Sequence, residues 1–344
     1  MSRFLKRKVE PFKIIKEKES LSNLLKGMEK TGFQGKNLGK AYEIWKMMFK
    51  GKTTIFLGLA GALIPAGMRR IFVYLIENRL IDCLVSTGAN LFHDCHESLG
   101  YFHWQGDDKV DDQELKRANI DRIYDVFASE LEFRHTQEFI TKFATNLKRD
   151  KTYNTREFLY LLGKHLMKYS RTAGILTSAA KSNLPIYCPA IADSSIGLAL
   201  CDAHYEKEKL ISFDILRDIE ETREIVRKSK KTGVIYLGGG TPKNFIQQAA
   251  LVFASDVGQD FSHKFAIQIT TDLPQWGGLS GCTFEEAKSW GKIAPQASQV
   301  TVNCEATIAL PILVSALAEA KKGRPREKIP YFKWKGEGLE ISYR

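Results

Sequence analysis

The chain has 344 residues, 44% hydrophobic and 26% charged, a balance that suits a globular protein with a substantial core. Its net charge of +11 comes without any basic run interleaved with aromatics, so nucleic acid is not the expected partner. Thr53–Met68, the most apolar window, is too short for a membrane span and is interrupted by Gly58, Gly61, Pro65 and Gly67.

The first fifty residues read as a helical extension. Leu21, Leu24, Leu25 and Met28 recur at helical spacing, and a second amphipathic run covers Ala41–Phe49. Thr53–Leu57 then forms a short apolar run ending at Gly58, as a buried strand would. Ile64–Ile76 is helix-like, and Leu80–Val85 reads as another strand ending in Ser86-Thr87-Gly88. Asp107–Met167 is expected to be mostly helical, an insertion covering the sheet. Strands are expected at Pro185–Ala190 and at Leu210–Phe213, the latter before an amphipathic helix from Asp214 to about Lys230.

Gly233–Leu237 runs into Gly238-Gly239-Gly240, with Pro242 placed for the first turn of a helix. Phe265–Ile269 and Val300–Asn303 complete the strands, and Ala306–Ala320 forms the last helix. Strands alternating with helices imply an α/β fold, a Rossmann-like and mainly parallel sheet flanked by helices. The expected division is a helical extension over 1–50, a catalytic domain over 51–322 and a solvated tail over 323–344. Six cysteines without a C-x-x-C pair, and no apolar signal core in Met1–Ser20, give a cytoplasmic expectation.

Ligands of an open parallel sheet gather at the carboxyl ends of its strands. Ser86-Thr87-Gly88, Asp193-Ser194-Ser195, Gly238-Gly239-Gly240, Thr271-Asp272 and Glu305 all fall there. The glycine triplet lets backbone N–H groups approach a phosphate at a helix N-terminus. The G-x-G-x-x-G pattern of an ordinary dehydrogenase is absent. His93 and His96 have no completing set of ligands, so no metal site is expected.

Ser289-Trp290-Gly291-Lys292-Ile293 is the most informative stretch. It sets a lysine beside an indole, with Glu286 six residues upstream. An apolar neighbourhood penalises a lysine's charge and makes its amine a nucleophile, and an indole face attracts cations. Trp276-Gly277-Gly278-Leu279-Ser280-Gly281 leads into this segment as a site-lining loop.

Taken together, the glycine triplet near Lys243, the second glycine-rich loop, Glu286 through Ile293 and the carboxylate at Glu305 resemble deoxyhypusine synthase, specifically its divergent prokaryotic branch. That resemblance implies an NAD-dependent transfer of a 4-aminobutyl unit from a polyamine such as spermidine. The unit passes through an imine on Lys292 to an acceptor amine, on a protein lysine or a small diamine. Lys292 matches the catalytic lysine, Trp290 the tryptophan lining the amine channel, and Glu286 a polyamine-anchoring carboxylate. Thr87, Gly88, Asp193, Gly239, Gly240, Thr271, Asp272, Ser280, Glu305 and Ala306 fall on cofactor positions.

The pattern is also broken in places. Gly61 stands for a serine, His93 for a glutamate, Asp272 for an alanine and Glu305 for an aspartate. Two aspartates that anchor spermidine are replaced by Leu198 and Leu279, and a histidine beside the amine by Asn244. The resemblance further implies a homotetramer with cofactor sites at subunit interfaces. Homospermidine-type synthesis and a non-catalytic NAD-binding relative are the alternatives it leaves. A nicotinamide-cleaving deacylase would need a paired-cysteine zinc motif that the sequence lacks.

Overall fold

The computed structural model describes residues 20–148, 150–207, 211–251, 256, 258–321, 326–335 and 338–344. Residues 1–19, Leu210 and 322–325, which carry parts of the reading above, lie outside them.

The chain opens with α1 (Leu21–Glu29), α2 (Phe33–Met48) and β1 (Thr53–Leu59), then a π-helical turn at Ile64–Met68, α3 (Arg69–Glu77), β2 (Cys83–Ser86) and α4 (Gly88–Ser98). The middle holds β3 (Trp104–Gln105), α5 (Asp112–Arg117), β4 (Ile120–Ile123), β5 (Val126–Ser129), α6 (Glu130–Thr145), β6 (Thr152–Tyr153), α7 (Thr155–Leu166) and α8 (Ile175–Ser182). Then come β7 (Ile186–Tyr187), α9 (Ser195–Lys207), β8 (Ser212–Phe213), α10 (Ile215–Lys228), β9 (Lys231–Leu237) and α11 (Gly240–Gln248). The chain closes with β10 (His263–Thr270), α12 (Phe284–Ser289), β11 (Ile293–Asn303), α13 (Ala306–Lys321) and the hairpin β12 (Pro330–Lys335) and β13 (Gly338–Tyr343).

Six strands form one sheet in the order β11-β10-β9-β1-β2-β7, every neighbouring pair parallel. β1 is buried along its whole length, as a central parallel strand covered on both faces must be. Its alternating side chains divide the core. Ile55, Leu57 and Leu59 join α1, α2, α3 and α13 on one face. Phe56 packs on the other face with residues of α10, α11, α12 and the terminal hairpin. The extension over 1–50 is thus helical where described, and Tyr42, Trp45 and Met48 of α2 are part of the main core.

Helix starts follow their capping residues. The side chains of Ser20, Asp111, Ser129, Asn154, Asp214 and Thr283 each accept a backbone N–H of the first turn. Gly67, at φ +83°, breaks the expected helix over Ile64–Ile76 into a π turn followed by α3.

Three expectations are corrected. The segment Asp107–Met167 contains α5, α6 and α7, but Ile120–Ser129 is a hairpin that pairs with β3 in a small antiparallel sheet. The strand expected over Leu80–Val85 begins only at Cys83, because the Asp82 carboxylate turns inward to accept the Ile55 N–H at 2.8 Å. The described part of the tail is not simply solvated: Arg326 is buried and makes two hydrogen bonds of 2.8 and 2.6 Å to Asp82, and β12 and β13 pair with each other on the sheet's second face.

Candidate active site

Because all six strands are parallel, their carboxyl ends share one edge. Thr87 follows β2, Asp193 follows β7, Gly239 and Gly240 follow β9, Thr271 and Asp272 follow β10, and Glu305 and Ala306 follow β11. Connections leave β1 toward β2 on one side while β9 flanks it on the other, so the strand order reverses beside β1. Such a reversal opens a crevice at the carboxyl edge.

The local geometry there leaves room for a group close to the backbone. Gly238 and Gly240 have φ of +73° and +54°, and a Cβ on Gly240 would meet nothing within 4 Å. Gly239 has no such room, since a Cβ there would run into the Ser280 backbone, and the Gly240 N–H donates to Ser280 Oγ at 3.0 Å. Gly88 packs against Ser194 in the same way, and Thr87 Oγ1 accepts from Asn90 at 2.9 Å. Asp193 is exposed in a turn, while the Glu305 carboxylate accepts the Thr307 N–H at 2.8 Å in the first turn of α13. These residues suit an anionic dinucleotide: open glycine backbone for its phosphates and exposed carboxylates at the rim for its hydroxyls.

Lys292 does not sit on that edge. It immediately precedes β11, and its backbone carbonyl accepts the His263 N–H at the start of β10. Its side chain enters a cleft of about 330 Å³ on the second face, between α11, α12 and the loop 273–283. The Nζ donates to Asn244 Oδ1 at 3.4 Å and lies 5.1 Å from the centre of the Trp290 ring. Glu286 and Trp290, four residues apart around α12 and its C-cap, line the same cleft with Leu279 of the glycine-rich loop. Gly291, at φ +70°, makes the turn that brings Lys292 back under the indole.

The cleft corrects one expectation. Trp290 is 64% exposed and Lys292 half-buried, so the indole does not shut this amine away from water. The desolvated lysine is Lys243, one residue before Asn244 on α11 and 1% exposed. Burial, against the pull of Cys282, Glu286 and Asp272, lowers its ammonium to about 8. It meets no carboxylate directly. Its Nζ donates to Gln268 Oε1 at 2.9 Å and to the carbonyls of Cys282 and Ser280 at 2.5 and 3.5 Å, pinning the glycine-rich loop to β10.

Comparison with known proteins fits this arrangement. The family profile for deoxyhypusine synthase matches residues 23–317. The probable deoxyhypusine synthase 2 of Methanosarcina acetivorans is 52% identical over 94% of this chain and 94% of its own length. This chain belongs to the deoxyhypusine synthase family. The probable deoxyhypusine synthase 2 of Archaeoglobus fulgidus is 51% identical over 89% of this chain and 99% of its own. A deoxyhypusine synthase-like protein of Chlorobaculum tepidum is 36% identical over 92% of each. Among solved structures, an Entamoeba histolytica protein assigned as a deoxyhypusine synthase superposes with a TM-score of 0.61, covering 87% of this chain and 93% of its own, at 19% identity. That likeness speaks for the fold alone.

Membership in the deoxyhypusine synthase family makes this an aminobutyl transferase by descent, and it sharpens the departures. Of the two leucines that the resemblance sets at anchor positions, Leu279 lines the cleft, whereas Leu198 is exposed on α9 and does not. His93 belongs to a chain of bonds: Glu97 accepts from His103 at 2.9 Å, and His103 bonds His93 at 2.9 Å. Burial and the neighbouring imidazoles pull His93 down to about 3 and His96 to about 4, so both are neutral at physiological pH. Among the described residues no cluster of three or more His, Cys, Asp or Glu is arranged to hold a metal, and no helix is long and apolar enough to cross a membrane.

Three lining residues escaped the sequence reading, Pro274, Cys282 and Gln247. Gln247 could have been found from Asn244, since residues three apart share a helix face.

Proposed function

We propose that this chain is an NAD-dependent transferase that moves a 4-aminobutyl unit from a polyamine donor, through an imine on Lys292, to an acceptor amine. The observation that carries this reading is the cleft itself. It joins a reachable lysine amine, a cation-binding indole and a carboxylate within one wall of the molecule. NAD, when bound, supplies reversible two-electron oxidation of an amine. Thr87, Gly88, Asp193, Gly239, Gly240, Thr271, Asp272, Ser280, Glu305 and Ala306 are the residues that would hold it.

Lys292 must lose a proton before its Nζ can attack an imine carbon. Asn244 Oδ1, accepting one N–H at 3.4 Å, orients the remaining lone pair across the cleft. Glu286 holds the ammonium at the far end of the aminobutyl chain, and the Trp290 face stabilises cationic nitrogen beside Lys292. The rest of the donor leaves as a free amine when Lys292 attacks. An acceptor amine then displaces Lys292, which returns free, and the hydride taken from the donor would be returned to the new imine, so that the transfer is redox-neutral overall. The open rim formed by Trp276, Leu279 and Trp290 leaves water-exclusion to a covering surface, and a second copy of the chain in a homo-oligomer is the proposed cover. The acceptor is a lysine of a protein or a small diamine, and the compartment is the cytoplasm.

Trapping tests the reading. The protein is incubated with NAD and tritiated polyamine, reduced with borohydride, and digested. Label on Lys292 is the expected result; its absence with spermidine, butane-1,4-diamine, homospermidine and agmatine alike would overturn the proposal.

A further inference from the structure

Two connections flank the crevice where the strand order reverses: residues 60–63 after β1, and Ser86-Thr87-Gly88 after β2. Asn90, the third residue of α4 and fully buried, joins them. Its Nδ2 donates to the Gly61 carbonyl at 2.8 Å and to Thr87 Oγ1 at 2.9 Å, with a longer contact of 3.5 Å to the Ala60 carbonyl. Its Oδ1 accepts the Ile64 N–H at 3.3 Å. These partners fix the orientation of the amide. Turned over, its oxygen would face the Gly61 carbonyl and its nitrogen the Ile64 N–H, acceptor against acceptor and donor against donor. One N–H is thereby committed to Gly61, and Thr87 Oγ1 receives the other.

This inverts the usual helix cap. Thr87 is the N-cap of α4, yet its hydroxyl takes no backbone N–H of the first turn. It accepts from a side chain instead, so the hydroxyl proton is turned away from Asn90, and no described residue receives it. Thr87 is half-buried at the carboxyl edge, where that proton can be given to a ligand. The same connections are tied to the glycine triplet. The Thr87 N–H donates to the Leu59 carbonyl and the Ala60 N–H to the Leu237 carbonyl, each at 3.1 Å, and a Cβ on Gly238 would lie 3.3 Å from the Ala60 Cβ. Asn90 therefore fixes the Thr87 hydroxyl relative to both the Gly61 turn, at φ +69°, and Gly238.

We propose that Asn90 is a positioning residue of the cofactor crevice, holding the Thr87 hydroxyl as a hydrogen-bond donor toward an oxygen of the bound dinucleotide. Asn90 is buried beneath the connection and acts only through Thr87. The inference rests on the cofactor reading, in which Thr87 borders the dinucleotide.

Asn90→Asp tests the direction of that bond. The carboxylate keeps the shape of the amide and still accepts the Ile64 N–H, but it has no proton to give. Thr87 then donates inward to the carboxylate, and its proton is lost to the ligand. Calorimetry reads the NAD affinity of the full-length wild type, T87S, T87V, N90D and the double variant T87V/N90D. T87V and N90D should each lose about tenfold or more, while T87S, which keeps the hydroxyl, should stay within about threefold of the wild type. In the T87V background N90D should cost no more than about threefold, the effect of the added charge, because the hydroxyl it would redirect is gone. A merely structural role for Asn90 would cost affinity equally in both backgrounds, and that result would overturn the proposal. Should N90D not fold, the Thr87 variants still decide, since T87V binding NAD as tightly as the wild type overturns it. The two readings fail separately. A wild type that binds no NAD would sink the cofactor reading and this inference with it; NAD binding indifferent to T87V would sink this inference alone.

Discussion

The mouth and the floor of the cleft each contain a lysine, and they divide the work between them. Lys292 at the mouth is half-buried, has a single side-chain partner and faces an exposed indole. Lys243 on the floor is buried, makes three hydrogen bonds to neutral oxygens and anchors the loop that forms the opposite wall. If Lys292 is the nucleophile, as proposed, burial alone does not mark it. The more desolvated amine has all its protons engaged and no path to a substrate, while the freer one can reach a reacting carbon. On the proposed mechanism, shape is set at the floor and chemistry is done at the mouth.

The largest effect should come from the mouth. Lys292→Ala should lower transfer by about a thousandfold or more, since removal of a covalent nucleophile is not compensated by the remaining groups. Its melting temperature should stay close to that of the wild type, because the lost side chain has only one long hydrogen bond. Residual transfer within tenfold of the wild type would move the nucleophile elsewhere, with Lys243 the first candidate. Glu286→Gln comes next. Loss of a charged hydrogen bond of about 1.5–3 kcal/mol should raise KM for the donor by roughly ten- to a hundredfold. A fall in kcat with KM unchanged would show instead that Glu286 acts on the reacting atoms.

The floor should respond in stability. Lys243→Met keeps the volume but leaves Gln268 Oε1 and two loop carbonyls without their donor, a cost of about 1–3 kcal/mol after the relief of a buried charge. The pH dependence has a definite sign. The folded Lys243 releases its proton near 8, whereas an unfolded lysine holds it to about 10.4. Between those values the unfolded chain binds more protons, so the wild type gains stability on K243M as pH rises from about 8 to about 10. Chemical denaturation of both proteins at three pH values in that window measures it. A difference independent of pH would mean that Lys243 is not desolvated in solution.

The same contrast explains what could be read from the sequence. Central strands such as β1 and β9 announce themselves because burial on both faces demands unbroken apolar runs. Lys292 stood out in Ser-Trp-Gly-Lys-Ile, and its place beside the Trp290 ring was legible because both residues lie in that one short segment. Lys243 was not, since its role depends on Gln268, Ser280 and Cys282, which lie 25 to 39 residues further along the chain. Arg326 was hidden for the same reason. In a run of charges it reads as solvated, and only its pairing with Asp82, 244 residues away, takes it inside. The hairpin Ile120–Ser129 is short and half-buried, so it lacks the continuous apolar signal of the main strands.

Trp290 gives the smallest expected effect and bears on how the mouth works. With the indole 64% exposed, as in the single chain, its attraction for a cation 5.1 Å away should amount to about 0.5–1 kcal/mol. Trp290→Ala would then lower kcat/KM for the donor by about two- to fivefold. If a second copy of the chain covers the cleft and expels water, the same contact strengthens to about 2 kcal/mol or more, a loss of roughly thirtyfold. Measuring the substitution across the protein concentrations at which any oligomer dissociates separates the two. A small loss in the isolated chain that grows on assembly would place the missing dry wall on the partner. A loss that stays small throughout would mean that Lys292 does its chemistry at an open surface.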